Sequence, residues 1–383
     1  MKKQNKAPEK RVSDLSSDRL SVKHRTGLLS SPRIIPFIGY GNKNSIYISG
    51  LVVEENGISK PFEGQSKWKN IIAMLKRYTS NELENINVEI SCLGEKKVAT
   101  TDKYGVFRCN FQNLSEGDIG ERWQKFSVNI SNPGHGGTSN IEEGEMLLID
   151  KASQFAVISD IDDTILVSYA TNTLMKLRLM LLNNAHTRMP FAGVGAFYHA
   201  LQQGTFEDGY NPVFYVSNSE WNLYDLLYEF IQFHRIPKGP LMLRELAINF
   251  LRPWKLKEVN KNHKSQVIRK LLSLYSEMKF ILIGDSGQKD PEIYFNIIKE
   301  HPGRILAVYI RDVGISRNLS KISVLSDHSY DEFKTEIIVV KDTIAAAQHA
   351  VEKGFISSKY LDFIRGETEK DLQKISKPAE KLV

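Results

Sequence analysis

Three apolar runs of this chain end in residues suited to handling a phosphate ester. Val157-Ile158-Ser159 leads into Asp160-Ile161-Asp162-Asp163-Thr164, and Val213-Phe214-Tyr215-Val216 into Ser217-Asn218-Ser219. Phe280-Ile281-Leu282-Ile283 leads into Gly284-Asp285-Ser286-Gly287-Gln288-Lys289-Asp290, and Lys264 opens the helical pattern before that third run. Carboxylates at i and i+2 permit separate roles, one as nucleophile and one as proton shuttle. An unshielded aspartate facing a phosphate dianion is repelled by about 4 kcal/mol per pair of unit charges at ~4 Å and an effective dielectric of ~20. A Mg²⁺ ion between them turns repulsion into attraction, and Asp285 supplies a further hard oxygen ligand. Lys264 and the Ser217 hydroxyl would offset charge on the phosphoryl oxygens, with Asn218 beside them, while Gly284 and Gly287 let backbone approach the metal.

Plainer uses exist for each residue alone. Asp163 and Thr164 suit turns or caps, Asp290 suits an N-cap before Pro291, and Ser217 or Ser219 suits a cap for the helix at Trp221. A lone lysine is usually solvated. Order favours the chemistry: acid pair, hydroxyl, lysine and Gly-Asp…Asp each stand at the same end of a successive element. The nine histidines show no metal-ligand spacing.

The elements that must position these residues are legible from Lys151 onward. The three runs, together with Ile305-Leu306-Ala307-Val308-Tyr309-Ile310, are short and continuously apolar, as parallel strands buried on both faces must be. Helical patterns lie between them: Leu223, Leu226, Leu227, Phe230 and Ile231; then Val267, Ile268, Leu271 and Leu272. Asp290-Pro291-Glu292 starts another helix and His301-Pro302-Gly303 stops it. A last strand at Ile337–Val340 and a helix from Asp342 complete the pattern. The expected fold is a doubly wound, mostly parallel α/β sheet over residues 151–366, with ligands beyond the carboxyl ends of its strands.

Residues 34–150 read differently. Ser45–Val53, Ile86–Ile90 and Val106–Cys109 are strand-like, and Thr101–Gly105 is a turn in which Gly105 takes φ > 0. One helix is expected where Trp68, Ile71, Ile72, Leu75 and Tyr78 share a face. This part is expected to be a small β-sandwich without catalytic residues. Residues 1–33 and 367–383 read as tails.

At 383 residues, 41% hydrophobic and 25% charged, the chain suits two domains and excludes wholesale disorder. Cys92 and Cys109 exclude a disulfide scaffold and are expected to be reduced core residues. No apolar run reaches the ~18–20 residues of a bilayer span, and the polar amino terminus does not resemble a secretory signal, so a cytoplasmic protein is expected. The net charge of +6 is local: residues 1–33 hold nine Lys/Arg and three Asp/Glu, leaving 42 of each sign elsewhere. A neutral body gives no support for nucleic-acid binding. The basic tail is read as a solvated arm, with weak attraction to anionic membrane as the alternative.

The motif stretches resemble the haloacid dehalogenase superfamily and, more narrowly, the actin-patch-protein family of Mg²⁺-dependent phosphatidate phosphatases with its bacterial relatives. The resemblance rests on Ile158–Ile165, Tyr215–Tyr224, Pro237-Lys238-Gly239-Pro240 with Leu243-Arg244, Ile283–Tyr294, His301–Ile305 and Tyr309–Val313. Ile35–Gly41 and Thr101-Asp102 with Gly105 and Phe107 match the family's amino-terminal part, so the likeness covers about residues 34 to 315. It implies that Asp160 forms an aspartyl-phosphate and that Asp162 protonates the leaving alkoxide, then deprotonates the attacking water. It further implies that Ser217 and Lys264 bind the phosphoryl group and that Asp160, the Asp162 carbonyl and Asp285 hold Mg²⁺. Asp290 would assist as a supporting acid or lysine partner; Glu220 departs from the small residue or Pro expected there. The short insertion between Ile165 and Asn211, partly helical at Leu174, Leu177 and Leu181, implies an open mouth. That suits a phospholipid headgroup at a membrane surface or another bulky phosphomonoester, such as a nucleotide, sugar phosphate or phosphoprotein. Phe191, Phe197, Tyr198 and Trp221 either graze lipid or belong to the core. A non-catalytic membrane- or protein-binding module is the competing reading, disfavoured by the complete set of Asp160, Asp162, Lys264 and Asp285.

Overall fold

The computed structural model describes residues 32–54, 82–112, 121–131, 141–149, 153–161, 191–206, 208–244, 263–314 and 316–376. The helix expected around Trp68–Tyr78 and the helical stretch at Leu174–Leu181 lie outside these residues, as do Asp162, Asp163 and Thr164. The chain divides into two compact units. One is built from the described residues within Met1–Gly39, Tyr47–Leu114 and Gln124–Met146; the other takes those within Tyr40–Ile46, Ser115–Trp123 and Leu147–Val383.

The amino-terminal strands are β1 (Pro32–Pro36), β2 (Gly39–Asn42), β3 (Ser45–Glu54), β4 (Asn87–Cys92), β5 (Glu95–Thr100), β6 (Val106–Gln112), β7 (Trp123–Ile130) and β8 (Glu142–Leu148). Alternation places Val88, Ile90 and Cys92 of β4 inside while Asn87 is exposed and Glu89 and Ser91 are half-buried. The strands form one hydrogen-bonded sheet, ordered β1-β3-β2-β8-β7-β4-β5 with β6 also beside β3. The ten-residue β3 is long enough to serve several partners, which joins what would otherwise be separate layers. Pro32 and Arg33, placed in the tail by composition, already pair with Glu54 and Val53. The turn at Asp102 is as expected. Gly105 has φ +70°, and a Cβ there would stand 2.6 Å from the Val52 carbonyl oxygen. Both cysteines are free, with Cys92 buried against the Met146 sulfur at 3.6 Å and Cys109 half-buried.

The second unit alternates strands and helices: β9 (Ala156–Asp160), α1 (Val194–Gln203), β10 (Val213–Glu220), α2 (Tyr224–Phe233), β11 (Leu241–Arg244), α3 (His263–Leu274), β12 (Phe280–Asp285), α4 (Asp290–Glu300), β13 (Ile305–Arg311), α5 (Ser316–Phe333), β14 (Glu336–Val340), α6 (Thr343–Glu352) and α7 (Tyr360–Ser376). The six strands lie in the order β11-β10-β9-β12-β13-β14, every neighbouring pair parallel. From β9 the chain builds outward through β10 and β11, then returns to add β12, β13 and β14 on the other side. The direction of connection therefore reverses between β9 and β12, the position at which open α/β sheets place their ligands beyond the carboxyl ends.

Both faces of this sheet carry helices. Ile158, Phe214, Leu282 and Ile310 share a core with Ile268 of α3, Ile297 of α4 and Ile322 of α5. On the other face Phe197 of α1 meets Tyr309 edge-on, with ring centres 6.0 Å apart, and Tyr309 also meets His349 of α6. The expected charged tail at Glu367–Val383 is corrected for the described part: residues 367–376 continue α7. Thr368 is buried and Asp371 accepts the Gly193 N–H at 3.0 Å, so this charged sequence is one amphipathic helix with a docked face.

Candidate active site

Each strand end delivers its residues to one place. Asp160 is the last residue of β9, and Val216 of β10 stands directly beside it in register, with Ser217 next in sequence. Asp285 closes β12. Lys264 lies in the first turn of α3, and Asp290 opens α4 with Pro291 following at the position where its missing N–H costs nothing.

The side chains converge. Lys264 Nζ is 2.9 Å from Asp160 Oδ1 and donates as well to Asp290 Oδ1. Asp290 Oδ2 accepts the Asp285 N–H at 3.3 Å. Oxygens of Asp160, Asp285 and Asp290 all lie within 4.8 Å of one another, and all three residues are buried. Asp285 Oδ1 accepts the N–H groups of Gly287 and Gln288 at 2.7 and 2.8 Å, which fixes the loop after β12. Burial alone would lower the Lys264 ammonium, but the charges of Asp160 and Asp290 outweigh it and hold the group above the usual lysine range.

Three carboxyl groups surround one ammonium in a buried site. That donor set consists of hard oxygens, which suits a divalent cation such as Mg²⁺. Asp160 and Asp285 would hold it, with Asp290 at hand.

Gly284 makes room for a neighbouring acid. A Cβ there would run into the Asp290 carboxylate and lie 2.8 Å from Asp290 Cβ and from the Tyr294 ring. Its bareness thus admits Asp290. Asp290 itself is the first residue of α4 and partner to Lys264, while Lys289 occupies the N-cap without a side-chain bond. Ser217 is buried and its Oγ accepts the Ser219 N–H at 2.9 Å. Asn218 is half-buried on the same strand end. Asp162 and Thr164 lie outside the described residues.

Sequence reasoning missed the support beneath Asp160. Ser159 Oγ donates to the Asp160 carbonyl at 2.8 Å and lies 2.7 Å from Tyr198 Oη. Because the serine proton is already used, the tyrosine O–H donates to it. Only the strand's two-residue alternation, which turns Ser159 towards α1, signals this pair. The lipid-grazing option for Phe197 and Tyr198 is thereby corrected: both are buried. Phe191 is half-buried beneath the Arg311 guanidinium, whose Cζ lies 3.1 Å from its ring centre, and Trp221 is half-buried.

A parallel α/β sheet with buried acids and a lysine at its switch point has these groups where such sheets bind their ligands. Comparison with known proteins narrows this. Residues 155–312 match the family model described as phosphatidate phosphatase APP1, catalytic domain. The second unit therefore contains the stretch that is similar to this family's catalytic domain. Phosphatidate phosphatase APP1 of Saccharomyces cerevisiae is 29% identical over 246 residues, covering 62% of this chain and 40% of that protein. An uncharacterized protein of Schizosaccharomyces pombe is 27% identical over 173 residues, 44% of this chain and 27% of its own length. The chain thus spans well under half of each of these relatives. Among solved structures, a carbohydrate acetylesterase from Xanthomonas citri aligns with 88% of this chain and 74% of its own at 11% identity, with a TM-score of 0.26, too low to bear on fold or function.

Proposed function

We propose that this chain is a haloacid dehalogenase-like, Mg²⁺-dependent phosphatidate phosphatase working through an aspartyl-phosphate. The reading is carried by the buried cluster of Asp160, Lys264, Asp285 and Asp290 at the switch point of a domain matching the APP1 catalytic family. Bound Mg²⁺ would supply charge neutralisation to the phosphoryl oxygens and to Asp160.

The chain's own residues do the rest. An Asp160 carboxylate oxygen attacks phosphorus and the bond to the leaving alkoxide breaks, the alkoxide taking a proton from Asp162. Asp162 then takes a proton from water, whose oxygen attacks the same phosphorus; inorganic phosphate leaves and Asp160 is regenerated. Lys264 holds the Asp160 carboxylate in place before attack and offsets phosphoryl charge as it develops, with Ser217 and Asn218 as neighbouring donors. Asp290 keeps Lys264 charged and aimed. Peripheral contact with a membrane follows from a phospholipid substrate, since none of the described helices is long and apolar enough to cross a bilayer.

Turnover of phosphatidate in mixed micelles, beside a panel of nucleotide, sugar and protein phosphates, tests the reading. Phosphatidate is expected to be preferred, with activity dependent on Mg²⁺ and abolished in Asp160→Asn. A wild-type rate in that variant would remove the mechanism; preference for a soluble phosphomonoester would remove the lipid.

A further inference from the structure

β14 is the last strand of the parallel sheet, and β13 is its only strand partner among the described residues. Residues 336–339 line an open groove of about 710 Å³, walled by α5 on one side and by His349 of α6 on the other. Four consecutive strand residues line it, so the groove follows the strand's edge rather than one of its faces.

The hydrogen bonding says which groups point there. The Val340 carbonyl accepts the Asp312 N–H at 3.0 Å, on the β13 side. By strand alternation, Ile337 and Val339 turn their N–H and C=O groups to the outer side. The Ile337 carbonyl is taken by the Ser326 hydroxyl at 2.8 Å, which leaves two N–H groups and the Val339 carbonyl along the edge. The Val339 side chain is 37% exposed. Natural proteins normally blunt such an edge, and a groove between an edge strand and a helix is a known geometry for adding an extended peptide.

Charge identifies the occupant. Among the described residues, no Lys or Arg lines the groove. Glu336 is engaged by His349 and Lys353, whereas Asp327 and Asp331 on the α5 wall are exposed and in no ion pair among the described residues. Four residues apart, they stand ~5–6 Å from each other on one helix face. Alternate residues of an extended strand are ~6.8 Å apart, a close match.

We propose that the β14–α5 groove binds an extended peptide segment by strand addition, with lysine or arginine at alternate positions facing Asp327 and Asp331. The test uses the full chain and a fluorescein-labelled octapeptide of alternating Lys and Val, with a Glu–Val octapeptide as control. Fluorescence anisotropy is expected to show saturable binding of the Lys–Val peptide, weakened at least tenfold in Asp327→Lys/Asp331→Lys and by added salt, and none of the Glu–Val peptide. Amide hydrogen exchange is expected to slow at Ile337 and Val339. The double variant changes only exposed side chains, and its circular dichroism and thermal transition serve as the folding control. Equal binding by wild type and double variant, no binding at 1 mM peptide, or protection confined to another segment would each overturn the proposal. Self-association of the peptide-free chain through this edge, lost in Val339→Pro, would assign the groove to a second copy and overturn it too.

Discussion

Lys264 is 2% exposed and bonded to two buried carboxylates, an arrangement stable only while all three charges are present. Lys264→Met strands Asp160 and Asp290 without their counter-ion. It is expected to cost about 3–5 kcal/mol in urea unfolding and to abolish phosphatase activity. Tyr198→Phe removes one buried donor to Ser159; about 1–2 kcal/mol of stability and a severalfold loss of kcat are expected, without a matching change in KM. Cys92, in the amino-terminal unit, provides a pH signature of its own. Burial pushes its thiol up to about 12. Below the unfolded thiol's value of ~8.5 both states hold the proton and the full stability remains. As pH rises towards 12 the unfolded chain ionises first, so stability falls; calorimetry between pH 8 and 11 is expected to show a slope that Cys92→Ala reduces. The acids and Lys264 were legible because each ends a strand or starts a helix. Ser159 and Tyr198 were not, because their meeting depends on which side of the pleat faces α1.

At the scale of elements, the turn from β12 into α4 is tightly built around Gly284. Gly284→Ala forces its methyl into Asp290 and Tyr294, and about 1–3 kcal/mol of destabilisation with displacement of Lys264 is expected, measured by unfolding and by turnover. Central strands such as β9 and β12 were legible because both faces are buried, which makes their sequences uniformly apolar. β5 was not: its residues alternate between half-buried and exposed, and its Lys96 and Lys97 give it the composition of a loop. The docked part of α7 was hidden for a related reason. Its buried face is made by Ile364 and Thr368 at a four-residue spacing, diluted by charge on every other side. Ending the chain before Glu367 is expected to lower Tm by several degrees, through loss of the Thr368 packing and the Asp371 bond to Gly193.

For the whole second unit, the three clustered carboxylates around one ammonium are expected to couple folding to cation binding. Mg²⁺ at 100 times its Kd is expected to add about 2.7 kcal/mol to stability, read as a rise in Tm that EDTA reverses. Asp285→Asn should lose most of that rise while keeping a cooperative transition. The Lys264 ammonium also ties β9 to α3 and α4, which follow it by more than a hundred residues of chain. Catalytic competence is consequently a property of tertiary docking alone. A compact intermediate with all its helices and strands formed, but with α3 not yet seated, would be inert. Under mild denaturant, turnover should therefore vanish while the far-ultraviolet spectrum still looks native.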